Sequence, residues 1–215
     1  MWYAIFQWFV KITGFLPWWI ITGQKTYYED KKQQGKRIKG KAIVVSNHKS
    51  VWDVAAMLFL FPFRTMRCLV AEIMYQKNPF MTFFLKGMGG IKIERDSHDF
   101  AFLEKSCKIL DKGGVIEIYP EARLPRAEEE TPLPFKPSVI YMALQTGAPI
   151  IPVYTNGEYF SKKRARAIIG TPFDARELYD ETLTEKENIS IITETLRKRI
   201  IELGNELDRQ TNENN

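Results

Sequence analysis

The sequence predicts an α/β protein: a single layered domain with a central mixed, mostly parallel sheet flanked by helices, and an aromatic amphipathic helical segment ahead of it. Three observations predict this. Short apolar runs alternate along the chain with stretches of helical spacing, the pattern of strands joined by helices. The chain has 215 residues, the length of one domain with an appendage. It is 45% hydrophobic and 27% charged, a globular composition, and it contains no internal repeat.

The elements follow in order. Met1–Ile21 holds Trp2, Trp8, Trp18 and Trp19, four of the five tryptophans, with Phe6, Phe9 and Phe15. A spanning helix needs ~20 apolar residues, and Lys11 and Pro17 interrupt this one. No signal-peptide pattern is visible. Aromatic rings favour the headgroup layer, so the segment is expected to lie in one leaflet of a membrane; a core helix packed on the domain is the other reading. Lys25, Lys31, Lys32, Lys36, Arg37, Lys39 and Lys41 follow, and cations beside a membrane segment gain ~1 kcal/mol each near anionic lipid. Ala42–Val45 reads as a buried strand and Ser50–Leu60 as a helix. Cys68–Ala71 is a strand, Pro79–Leu85 a short helix and Ile91–Ile93 a strand. Phe100–Leu110 is helical, Val115–Tyr119 is β, Val139–Gln145 helical, and Ile150–Tyr154 and Arg166–Ile169 are β. Ile192, Leu196, Ile200, Leu203 and Leu207 mark one face of a long final helix over Ile189–Leu207, and Arg209–Asn215 is expected to fray.

Net charge is +5, which suits an anionic partner without choosing among phosphorylated substrate, lipid and nucleic acid. Nucleic acid ranks low, because the aromatics cluster in one terminal segment instead of alternating with basic residues across a sheet. Cys68 and Cys107 are the two cysteines. They form no CxxC pair, and nothing has metal-ligand spacing. A reducing, cytosol-facing location fits.

The chemistry is expected where Val44-Val45-Ser46-Asn47-His48-Lys49-Ser50-Val51-Trp52-Asp53 leaves a strand, turns and enters a helix, because loops at strand ends are where α/β proteins hold ligands. On one ideal helix His48 and Asp53 would stand about 140° apart around the axis. They meet only if His48 lies in the turn before the helix. A competing reading makes Ser50 to Asp53 the S-x-x-D start of a capped helix, with Asp53 complementing its N-terminus.

The run Asn-His-Lys-Ser-Val-Trp-Asp resembles the first motif of the glycerolipid acyltransferases, the 1-acylglycerol-3-phosphate acyltransferase family. Gly90-Ile91-Lys92-Ile93-Glu94-Arg95 resembles the second. Tyr119-Pro120-Glu121-Ala122-Arg123 resembles the third, usually Phe-Pro-Glu-Gly-Thr-Arg, and Pro149-Ile150-Ile151-Pro152-Val153 the fourth. Phe135-Lys136-Pro137-Ser138 sits where the family often has Phe-Lys-x-Gly. The blocks run in order over roughly residues 40 to 155. The departures are Ala122 and Ser138 in place of glycines, which favour φ > 0, and an arginine one place early, with Arg126 a second candidate for its role.

The resemblance implies transfer of a fatty acyl group from a thioester, acyl-CoA or acyl carrier protein, to the free hydroxyl of 1-acylglycerol-3-phosphate, giving phosphatidate. It implies His48 as base and Asp53 as its partner, and substrate contacts from Arg95, Glu121, Ala122 and Arg123. Imidazole, with pKa near ~6.5, suits the base role at neutral pH. Arginines grip phosphate by charge-assisted hydrogen bonds, and Glu121 would orient Arg123 or the acceptor. Neither a metal nor a resident cofactor is expected. The chain then divides into a membrane-associating segment at 1–35, an acyltransferase domain at 36–208 and a tail at 209–215. It would work on the cytoplasmic face of an anionic phospholipid membrane, as a peripheral or monotopic protein. Acylation of another lysolipid and a non-catalytic lipid-binding role are the alternatives. His98 reads as a surface residue, and Lys162, Lys163, Arg164 and Arg166 as a basic cluster that meets carrier protein, coenzyme A phosphates or lipid, or equally as a solvated loop.

Overall fold

Alternation of buried side chains along short β-branched runs builds the sheet. The computed structural model describes residues 2–93, 101–162 and 164–213. Its strands are β1 (Lys25–Tyr28), β2 (Ala42–Ser46), β3 (Arg67–Ala71), β4 (Ile91–Ile93), β5 (Val115–Ile118), β6 (Ile150–Thr155) and β7 (Arg166–Ile169). Among the described residues they form one sheet in the order β1-β7-β6-β2-β5-β3-β4. Neighbours pair in parallel except β6 with β7, so the sheet is mixed and mostly parallel.

The helices are α1 (Trp2–Thr22), α2 (Asp53–Leu60), α3 (Glu72–Gln76), α4 (Pro79–Gly87), α5 (Ala101–Asp111), α6 (Ser138–Thr146) and α7 (Glu185–Glu213). Successive strand residues face opposite ways. Ile43, Val45, Ile116, Ile118 and Ile150 bury against α5, α6 and α7. Val44, Val115, Tyr119, Ile151 and Val153 bury against Met57, Leu60 and Phe61 of α2 and the turn after it. Full burial of each such aliphatic side chain is worth ~1.5–3 kcal/mol.

Four elements differ from the expectation. β1 was not foreseen: Lys-Thr-Tyr-Tyr is partly exposed at the sheet edge and lacks the apolar run of an inner strand, yet it pairs with β7. The sheet therefore reaches back into the segment assigned to the membrane. The short α3 was also unforeseen. α2 begins at Asp53, not at Ser50, with Trp52 as an N-cap that supplies no side-chain bond. The end of α7 does not fray over 209–213. Leu203, Leu207 and Thr211 are buried on one face, and Gln210 Nε2 donates to the Tyr28 carbonyl at 3.2 Å, so packing on β1 holds the last turns.

α1 packs on α2 and α4 with its polar residues inward. Gln7 and Lys11 are buried. Gln7 Nε2 donates to the Met88 carbonyl at 2.6 Å, and Lys11 Nζ to the Phe61 carbonyl at 2.6 Å. Gly14 lets the helix close on α2: a Cβ there would lie 2.9 Å from the Phe59 ring. Trp2, Ile5, Phe9, Ile12, Leu16 and Ile20 face outward and are exposed. Lys11, which seemed to break the apolar segment, is instead a peg into the domain. By length and composition α1 is long and apolar enough to cross a membrane.

Candidate active site

Parallel strands bring their carboxyl ends, and the turns that leave them, to one edge. The turns after β2, β5 and β6 carry Asn47–Trp52, Tyr119–Ala122 and Asn156–Tyr159 there. Asn47 joins two of them, since its amide donates to the Thr155 carbonyl at 2.9 Å and accepts the Thr155 N–H at 2.8 Å.

His48 lies in the turn ahead of α2, as the sequence required for contact with Asp53. Its Nδ1 is 2.9 Å from Asp53 Oδ2. Asp53 is fully buried (0% exposed). Its Oδ2 also accepts the backbone N–H groups of Lys49 and Ser50, both at 2.8 Å. Oδ1 accepts the hydroxyls of Tyr159 at 2.5 Å and Thr155 at 3.3 Å. Every neighbour donates, so Asp53 is satisfied as a carboxylate and fixes the His48 proton on Nδ1. The capped-helix reading holds in part: Asp53 lies in the first turn of α2 and its Oδ2 reaches back to the Ser50 N–H, but the Ser50 hydroxyl accepts the Trp52 N–H at 3.2 Å instead of that of Asp53, and the same carboxylate also holds His48. Burial, and then Asp53 itself, push the Tyr159 phenol far above its ordinary range.

The imidazole is 19% exposed, and its Nε2 has no hydrogen-bond partner among the described residues. One face rests on the Tyr119 ring, centroids 4.6 Å apart. The Tyr119 hydroxyl donates to Glu117 Oε1 at 2.6 Å. Glu117 is buried in the sheet, and burial pushes its carboxyl up to about 8 against the opposing pull of the Tyr119 bond and the Lys11 charge.

Glu121 is buried beside His48. Its Oε1 accepts the His48 backbone N–H at 2.7 Å and its Oε2 the Leu133 N–H at 2.8 Å. It thus ties three turns together by their backbones; burial raises its pKa. Ala122, in place of the expected glycine, takes the glycine's conformation, with φ 61°, and its N–H closes the turn on the Tyr119 carbonyl at 3.0 Å. That region strains a residue with a Cβ by ~1–2 kcal/mol. Glycine loses ~0.5–1 kcal/mol through unfolded-chain entropy. Ala122→Gly is therefore expected to stabilise by about 1 kcal/mol, a Tm rise of about 2–4 °C by calorimetry. Ser138 opens α6 without a positive φ.

Arg123 is exposed and held in a two-pronged ion pair with Glu129, 2.6 Å to each oxygen. Arg123, together with the Arg126 N–H, draws the Glu129 carboxyl down to about 2. The geometry therefore unites His48, Asp53 and Glu121, with Ala122 shaping the turn, while Arg123 is engaged elsewhere. Arg95 lies outside the described residues, as do Glu94, His98 and Lys163. Sequence reasoning missed Asn47, Glu117, Thr155 and Tyr159. Asn47 carried a signal, its place beside His48; the others sit 64 or more positions from Asp53 with no local pattern.

An α/β domain with an imidazole–carboxylate pair at the carboxyl edge of its sheet has the layout of a group-transfer enzyme. The family model described as Acyltransferase matches residues 22–156, and the chain belongs to that family. A 1-acyl-sn-glycerol-3-phosphate acyltransferase of Bacillus subtilis is 29% identical over 138 residues, covering 62% of this chain and 66% of that protein. One from Borreliella burgdorferi is 31% identical over 128 residues, covering 58% and 50%. The chain thus spans less than two thirds of the length of these curated relatives. The crystal structure of the 1-acyl-sn-glycerophosphate (LPA) acyltransferase, PlsC, from Thermotoga maritima shares the fold, with TM-score 0.61 at 20% identity over 92% of this chain and 78% of that one.

Proposed function

We propose that this chain transfers a fatty acyl group from acyl-CoA or acyl carrier protein to the free hydroxyl of 1-acylglycerol-3-phosphate, giving phosphatidate, at the cytoplasmic face of a membrane. The observation that carries the reading is the 2.9 Å contact of His48 Nδ1 with a buried Asp53 whose every other neighbour donates to it. The names of the curated relatives support the choice of substrate.

In this mechanism His48 Nε2 removes the proton of the acceptor hydroxyl as its oxygen attacks the thioester carbonyl carbon. Asp53 holds the opposite ring nitrogen protonated and stabilises the imidazolium. Collapse of the tetrahedral intermediate breaks the C–S bond, and the thiolate leaves and recovers the proton from His48. Tyr119 supports the ring from one face and Glu121 fixes the turn beneath it. Arg95 and Arg123 take the acceptor phosphate. For Arg123 this means exchanging Glu129 for the ligand, an exchange that water screening of an exposed ion pair makes easy.

The membrane reading rests on α1. A soluble helix turns its apolar stripe to the core and its polar face to water. This one does the reverse, burying Gln7 and Lys11 and exposing tryptophan, phenylalanine and isoleucine. A patch of that kind marks a surface with an apolar partner, and lipid acceptors reside in one.

The test is a radiolabelled acyl-transfer assay on anionic vesicles, with both donors, comparing lysophosphatidate with monoacylglycerol. The phosphorylated acceptor is expected to show at least tenfold higher kcat/KM. Equal rates on the two acceptors would refute the assignment of substrate.

A further inference from the structure

Beyond α1, a second set of apolar and basic residues stands exposed on the loops that carry Asp53 and Tyr159. Trp52 and Phe160 are 48% and 59% exposed, and their rings meet edge to face at 5.1 Å. Val51 beside Trp52 is exposed too. The cations Lys162 and Arg164, both exposed, follow Phe160 in the same loop.

Two contacts give this rim its meaning. Behind it, Tyr159 packs against Trp18 of α1 at 5.6 Å, and Trp18 stacks on Phe59 at 5.4 Å. The rim is therefore continuous with the helix read as lying on lipid. Beneath it, Trp52 immediately precedes Asp53 and Phe160 immediately follows Tyr159, the two residues joined by the 2.5 Å hydrogen bond. Both exposed rings are thus mounted on the groups that orient His48.

We propose that Trp52 and Phe160, flanked by Lys162 and Arg164, form a second lipid-docking surface, for anionic phospholipid, at the mouth of the His48 site. This rests on the reading of α1 as a bilayer-associated helix and extends it to the active-site loops. Aromatic rings are at home in the headgroup layer, and neighbouring cations gain ~1 kcal/mol each from an anionic leaflet. The pairing of exposed rings with cations is what selects anionic lipid as occupant. A lysolipid acceptor would then enter from the bilayer without crossing water, and seating the rim would steady Tyr159 against Asp53.

The test compares the full chain with Trp52→Ser/Phe160→Ser and with Lys162→Gln/Arg164→Gln. Co-sedimentation is measured with vesicles of phosphatidylcholine alone and with added phosphatidylglycerol. Acyl transfer is measured on vesicle-borne long-chain acceptor and on a monomeric short-chain one, with Tm as a control for folding. The aromatic variant is expected to lose at least tenfold in vesicle binding and in rate on vesicles, while its rate on the monomeric acceptor stays within twofold. The cation variant is expected to lose the preference for phosphatidylglycerol. Unchanged vesicle binding by both variants would overturn the rim. An equal fall on vesicle and monomeric acceptors would also overturn it, by making the rings part of an acceptor or partner site. Failure of the wild-type chain to bind vesicles at all would instead sink the underlying reading of α1.

Discussion

Asp53→Asn is expected to lower turnover by at least ~10², the scale of a positioned base, with KM little changed. Asp53 is wholly buried and touches no substrate, so substrate binding has no direct stake in it. The amide must meet the same five donors with one acceptor oxygen. The backbone N–H groups of Lys49 and Ser50 cannot reverse, whereas the hydroxyls of Tyr159 and Thr155 can rotate to accept. The amide oxygen therefore stays on the His48 side and its NH₂ turns to the hydroxyls. The fold survives, at a loss of about 1–3 kcal/mol, but the negative charge that stabilises the imidazolium is gone. Asp53→Ala is the harsher change, leaving those donors without an acceptor, and is expected to cost about 3–5 kcal/mol. Steady-state kinetics of Asp53→Asn on vesicles, with thermal unfolding of both variants, check the two halves of this account. A turnover within a few-fold of wild type in Asp53→Asn would show that the charge is idle.

How much of this was legible in the sequence depends on the range of each interaction. The inner strands were legible because burial on both faces leaves runs such as Ala42–Val45 and Ile150–Tyr154 with few polar residues. The edge strand β1 was not, because Lys25–Tyr28 faces solvent in part and its pairing partner Arg166–Ile169 lies far along the chain. The spacing of His48 and Asp53 predicted a turn before the helix, and the turn is there. The other bonds that fix Asp53 come from Thr155 and Tyr159, more than a hundred positions away, and no local pattern announces them. The motif singled out Glu121, yet its partners are backbone N–H groups, which composition cannot display. α1 was legible as an apolar, tryptophan-rich helix. The inward peg formed by Lys11 was not, since a lysine in an apolar run looks the same whether it faces water or a carbonyl.

His48→Ala is expected to produce the largest loss of activity at the smallest structural disturbance. The ring makes one side-chain hydrogen bond, to Asp53, and one stacking contact, to Tyr119. Asp53 would keep its four remaining donors, so the variant should fold. What disappears is the Nε2 lone pair, and no other described group at this edge is poised to take the hydroxyl proton: Glu121 is occupied by two N–H groups, and the Tyr159 phenol stays protonated at any working pH. The most direct test is the turnover of purified, folded His48→Ala on lysophosphatidate-bearing vesicles with a saturating thioester donor. A fall of ~10²–10⁴ relative to wild type is predicted; near-normal turnover would contradict the assignment of His48 as the base.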